Sequence, residues 1–198
     1  MTNRRPKGTP TGGQFAPGAR AEVDVDLDGK PVPVGRSDRY MEWRLDDHGR
    51  PHGDDGPAIV HMDGTKEWYR HGVPHREDGP AVEWSDGGME WWRDGQRHRE
   101  DGPAVTHRDG TEMWFQNGQL HRTDGPAVVR SDSTELWYRN GELHREDGPA
   151  VVWPNGYQVW RWNGKTHRED GPAIVWPDGR EEWYTHSRRV DPPPSVPA

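Results

Sequence analysis

Hydrophobic and polar positions in this chain repeat in blocks of 23. The stretch His75-Arg76-Glu77-Asp78-Gly79-Pro80-Ala81-Val82 returns as His98–Val105, His144–Val151 and His167–Ile174. A looser copy runs His121–Val128, with Thr123 in place of Glu, and a degenerate one runs His52–Ile59, with Gly53 and Asp54 in place of Arg and Glu. A fixed period of this size marks a repeat array. Within each block, Gly-Pro-Ala-Val predicts the start of a strand of about six residues. A turn follows at Asp63-Gly64, Asp86-Gly87, Asp109-Gly110, Asp132-Ser133, Asn155-Gly156 and Asp178-Gly179. Asp-Gly and Asn-Gly between strands are hairpin signals, because glycine takes positive φ without Cβ strain.

A return strand then carries an aromatic column, Trp68, Trp91, Trp114, Trp137, Trp160 and Trp183. Its neighbours Tyr69, Trp92, Phe115, Tyr138 and Tyr184 form a second column, broken by Arg161. A glycine three residues before each repeat histidine (49, 72, 95, 118, 141, 164) opens the next turn, and Ser187 stands there at the last position. No segment places apolar residues at helical spacing over two turns. The expected fold is all-β: an elongated array of stacked antiparallel β-hairpins, a meander of about a dozen strands reaching ~58 Å at ~4.8 Å per strand. Two registers fit the Asp-Gly turns. A two-residue turn puts Trp68 opposite Ile59. Pro154 before Asn155-Gly156 favours a type I turn with a glycine bulge, which puts Trp160 opposite Ala150; that form is expected throughout.

Four regions follow. Residues 1–22, rich in Gly, Pro, Thr and Arg, read as a disordered basic leader. Residues 23–45, where Val23, Val25 and Leu27 alternate with acids, read as an N-terminal cap. Residues 46–187 hold the repeats. Residues 188–198 read as a disordered Pro-rich tail.

Composition sharpens this picture. Hydrophobic residues make up only 29%, yet there are 12 Trp, enough to supply a thin sheet with its core. The aromatic column is the expected core, and Trp84 is expected at the surface. The net charge is −8; residues 1–22 carry +3, which leaves −11 on the rest. That balance argues against nucleic-acid binding by the repeats, since phosphate contact needs a basic face, and against acidic lipid. No cysteine is present, so there is no disulfide framework or thiolate metal site. With no signal-like or membrane-length apolar run, the reading is a cytoplasmic protein.

His and Asp recur three apart, as in His75 and Asp78, a spacing that in principle serves a metal or an acid/base pair. Six copies argue against a catalytic centre, which is normally unique. The structural reading has Asp78 and its equivalents accepting backbone N–H bonds in the turn before Gly79-Pro80, with the histidines capping neighbouring carbonyls or stacking. Catalytic, metal and cofactor sites are therefore expected to be none. The recurring Arg and Glu (Arg76/Glu77 and equivalents) form a charged ridge, either a solvated face or a partner-recognition strip. Trp84, Trp92, Trp153, Trp162 and Trp176 vary between units, as repeat-core positions need not. Tyr and Trp are enriched at binding hot spots, so Trp84, Trp153, Trp162 and Trp176 are the candidate partner-binding residues.

At Trp68-Tyr69-Arg70-His71-Gly72-Val73-Pro74-His75 and the units in phase with it, over about residues 42–184, the chain resembles the MORN (membrane occupation and recognition nexus) repeat. Gly72 and His75 match its pattern; Arg76 replaces the usual Gly after His, which marks a variant branch. The resemblance implies an extended sheet of stacked hairpins and roles in protein binding, scaffolding or contact with acidic lipids. Some bacterial variants are antitoxin or immunity components. The stretch Lys7–Ala16 is similar to an N-terminal leader common in proteins of actinobacteria and their phages. The expectation is a non-enzymatic scaffold that binds a protein partner through an acidic, Trp-rich sheet surface. Rival expectations are an immunity or anti-defence protein that blocks a basic enzyme, and a self-assembling fibre built on exposed strand edges.

Overall fold

The computed structural model describes residues 40–192, and every described element is a strand or a turn. Fourteen strands form one antiparallel sheet, and ten more form five separate two-stranded ribbons. Each inner unit thus contributes two hairpins. In one unit, Val82–Glu83 and Met89–Glu90 pair within the sheet, while Trp92–Arg93 and Gln96–Arg97 form a ribbon. Thirteen inter-strand gaps at ~4.8 Å give the sheet a width of about 62 Å.

The expected single meander is corrected here. The return strand does not run straight through its tryptophan; it breaks there. The N–H of Trp68 donates to Ala81 O (2.8 Å), back into the sheet, while Trp68 O accepts from the N–H of His75 (3.1 Å), inside the ribbon. Trp91, Trp114, Trp137 and Trp160 repeat both bonds. The tryptophan is therefore the joint between sheet and ribbon, which leaves sheet strands of two or three residues instead of six. Ribbons stack on one another by backbone bonds of their own. Gly95 N donates to Pro74 O (3.0 Å) and Arg76 N to Trp92 O (3.1 Å), and later units repeat the pattern.

Both turns follow from local chemistry. The sheet hairpin takes the bulged form. His61 O accepts from Gly64 N, Ile59 sits opposite Glu67, and Val151 sits opposite Val159, the register that carries Trp160 to Ala150. Gly64 lies at φ +92°, and Asp63 Oδ1 accepts the N–H of Thr65 (2.9 Å). The ribbon turn has two positive-φ residues in succession, such as Asn117 (49°) and Gly118 (76°), the type I′ geometry that Asn-Gly favours.

One row of side chains crosses the whole sheet: Ile59, Glu67, Val82, Glu90, Val105, Met113, Val128, Leu136, Val151, Val159, Ile174 and Glu182. It is built of β-branched residues wherever burial is deepest. Alternation along the strand puts the neighbouring Ala column on the other face. Ala58, Ala81, Ala104, Ala127, Ala150 and Ala173 are all 0% exposed. Continued one step, the register sets Trp68 beside Ala58, so a small residue stands next to a large one.

The expected all-aromatic core is therefore corrected too. The core is the Ala column and the Val/Ile row, and the tryptophans are half-buried. A single sheet flanked by narrow ribbons has no second apolar layer to close over them.

At the ends, two expected boundaries move. Of the N-terminal cap, residues 23–39 lie outside the described residues. Tyr40–Trp43 forms the first sheet strand, paired with Ile59–His61. The expected leader, 1–22, lies outside as well. The tail does not begin at 188, because Arg188–Val190 forms the last strand against Glu181–Thr185, opposite Trp183 and Tyr184. Residues 193–198 lie outside the described residues.

Candidate partner-binding surface

The repeat motif builds a lock over each tryptophan. The guanidinium of Arg76 lies 4.1 Å from the Trp68 ring centroid; the same stack is made by Arg99 on Trp91 (4.0 Å), Arg122 on Trp114 (4.2 Å), Arg145 on Trp137 (3.8 Å) and Arg168 on Trp160 (4.2 Å). Such stacks contribute about 0.5–2 kcal/mol, depending on desolvation. Each guanidinium also donates to the carbonyl of the proline four residues on, as Arg145 does to Pro149 O (3.3 Å). The motif glycine lies against its other side. A Cβ built on Gly148 would sit 2.9 Å from Arg145 Cζ, and one on Gly79 would sit 2.8 Å from Arg76 Cζ.

Asp78 does not accept turn N–H bonds from neighbouring residues as expected. It takes the Nε–H of Arg76 (2.9 Å), and Asp124, Asp147 and Asp170 do the same with their arginines. The guanidinium holds each of these carboxyls below the usual carboxylate range. The aspartates that cap turns are instead Asp63, Asp109, Asp132 and Asp178. There a backbone or hydroxyl hydrogen bond from the residue two places on lowers the pKa.

The histidines tie each unit to the next. Nδ1 of His75 accepts the backbone N–H of Asp94 (3.1 Å), 19 residues on, and His52, His98, His121, His144 and His167 repeat the bond to residues 71, 117, 140, 163 and 186. The sequence suggested carbonyl caps; the ring caps an N–H instead, because the left-handed ribbon turn points that N–H back at the previous unit. On the far side of the ring, Nε2 of His75, His98, His144 and His167 faces the glutamate two residues on at 3.5–3.7 Å. Glu146 also takes a bond from Arg139 (2.9 Å), which is the main reason its carboxyl titrates low.

The charged ridge thus divides. The arginines are consumed by the lock. The acids remain at the surface, with Glu77, Glu100, Glu146 and Glu169 all well exposed. Shallow clefts of about 600 Å³ lie between successive loops; one is lined by Arg145, Glu146, Trp160, Trp162, Arg168 and Glu169. Among the described residues no group of three or more His, Asp or Glu is placed to hold a metal ion, and no helix is long and apolar enough to cross a membrane.

The four singled-out tryptophans do not form one patch. Trp84, Trp153 and Trp162 are exposed (46%, 44% and 39%), and Trp176 is half-buried. Trp153 and Trp176 lie on the rim formed by the sheet hairpins. There Tyr157 joins them, 5.6 Å from Trp153 and 4.8 Å from Trp176 between ring centroids. Trp84 occupies the same repeat position three units earlier. Trp162 is a ribbon residue, tilted on His144 at 4.7 Å, and belongs to the other margin of the unit. Sequence reasoning missed Tyr157, although Trp153-Pro154-Asn155-Gly156-Tyr157 carries both rings across one turn.

No family model matches the chain, and no curated protein matches it in sequence.

Proposed function

We propose that this protein is a non-enzymatic scaffold, a variant MORN-type array that acts in the cytoplasm and binds a protein partner through the hairpin rim carrying Trp153, Tyr157 and Trp176. One observation carries the reading. The repeated polar residues are consumed in building the array, while the rings at 153 and 176 are not repeated: the same position holds His107 and Arg130 in the units before them. Exposed aromatics of this kind supply binding energy at low entropic cost. The exposed glutamates and aspartates favour a basic partner and speed its encounter. A basic enzyme is such a partner, which makes an immunity or antitoxin role the specific form of this proposal. The test compares capture of proteins from native lysate by the full chain and by Trp153→Ala with Trp176→Ala. Selective loss of the same captured proteins, with melting unchanged, supports the rim. Undiminished capture by the variant refutes it.

A further inference from the structure

The last strand aims the rest of the chain at that same rim. Trp183 pairs with Val190 and Tyr184 with Arg189. Continued for two residues, this register sets Pro192 level with Glu181, which itself pairs with Val175. Trp176 follows Val175, and its N–H donates to Arg180 O (2.9 Å) at the very next rung. The residues after Pro192 therefore start at the edge of the aromatic shelf. They read Pro193-Pro194-Ser195-Val196-Pro197-Ala198.

We infer that this Pro-rich segment lies across the shelf as a polyproline II strand, seated on Trp176 and Tyr157 and reaching towards Trp153. The dimensions agree. Counting strands inward from Arg188–Val190, Trp176 is two spacings away, Tyr157 three and Trp153 four, or roughly 10, 14 and 19 Å at ~4.8 Å each. Six residues in polyproline II span about 19 Å at ~3.1 Å per residue. The chemistry agrees as well. Proline rings pack on aromatic walls, and the unpaired carbonyls of a polyproline II strand seek donors. The indole N–H of Trp176 is buried and has no acceptor among the described residues. The one side chain stacked on that ring, Arg180 at 4.8 Å, is mostly exposed and can yield. Adjacent prolines lose little backbone freedom on docking, so a short segment suffices. The inference deepens the proposed function, since it gives the partner surface a resident competitor on the same chain.

The test needs no partner, so its failure leaves partner binding standing. In the full-length protein, NMR should show contacts from the Val196 methyls to the Tyr157 and Trp176 rings, with a Val196 amide order parameter above about 0.6. Both should be lost in Trp153→Ala with Trp176→Ala. A second variant, Pro193→Gly with Pro194→Gly, leaves the shelf untouched and should shift the indole N–H resonances of Trp176 and Trp153. Absence of those contacts in the unmodified chain, or unmoved indole resonances in the glycine variant, overturns the inference.

Discussion

Arg145 lies flat over Trp137, its guanidinium carbon 3.8 Å from the ring centroid, and Gly148 closes on it from the other side. The two residues are eight apart and belong to different hairpins, yet they occur together in every inner unit. Where the first unit lacks the tryptophan, with Leu45 in its place, it lacks the arginine as well, with Gly53. A double-mutant cycle on Arg145 and Trp137 should therefore give a coupling of about 0.5–2 kcal/mol. Arg145→Lys should lose most of it, because an ammonium cannot stack and donate in one plane. Urea unfolding of the four species measures this, and additive losses would show that the stack stabilises nothing.

Gly148→Ala should destabilise by roughly 1–3 kcal/mol, the usual range for a forced overlap in a packed site. The added methyl meets the guanidinium at 2.9 Å. The loss should shrink when Arg145 is also alanine, as denaturation midpoints of the single and double variants would reveal. An equal loss in both backgrounds would place the strain in the backbone and not at the arginine.

His144→Ala should leave the N–H of Asn163 without its acceptor, at a site where the imidazole is only 5% exposed. An unmet buried donor costs about 1–3 kcal/mol. Amide hydrogen exchange should speed up first at Asn163, at the junction between units. Uniform acceleration throughout the array would argue that the histidine serves general packing instead of the junction.

Acid should loosen the array through its aspartates. Asp63, Asp109, Asp132 and Asp178 are held below their ordinary 3.8 by turn hydrogen bonds, and Asp78, Asp124, Asp147 and Asp170 by their arginines. A folded-state pKa below the unfolded one means that the folded chain binds fewer protons. The stabilisation is then complete above about pH 4 and fades as pH falls through the depressed values. Melting temperatures at pH 5, 3 and 2 should show the decline beginning below 4, with no carboxylate contribution to the slope between 5 and 8. All eight are exposed, so the effect should also weaken in high salt.

Much of the fold was legible because it rests on local rules. Asp-Gly and Asn-Gly fix both turns, and Pro154 alone indicated the bulged register that all six sheet hairpins share. The lock and the histidine ties were not legible. Arg76 reaches a ring eight residues back, and His75 an N–H 19 residues on; neither distance follows from strand periodicity. The one available signal was the joint absence of Trp and Arg at Leu45 and Gly53. The error about the core has the same root. An aromatic column looks like a core when the alternative cover, a row of arginines, cannot be seen to fold over it. For the surface, the exposure of Trp84, Trp153 and Trp162 was foreseen. The split between Trp162 and the rim was not, because it depends on the strand breaking at Trp160.

The account divides the chain's tryptophans into those the repeat builds with and those it leaves free, and paired stability measurements on one of each test this most directly. Trp114→Ala removes a ring that sits under Arg122 and joins sheet to ribbon. Even half-buried, it should cost at least about 2 kcal/mol, towards the 3–5 kcal/mol of fully buried rings. Trp84→Ala removes an exposed ring and should cost under about 1 kcal/mol. That gap in chemical denaturation is the predicted result. Equal losses would mean that the non-repeated tryptophans are structural too, and would contradict the division on which the proposed binding surface rests.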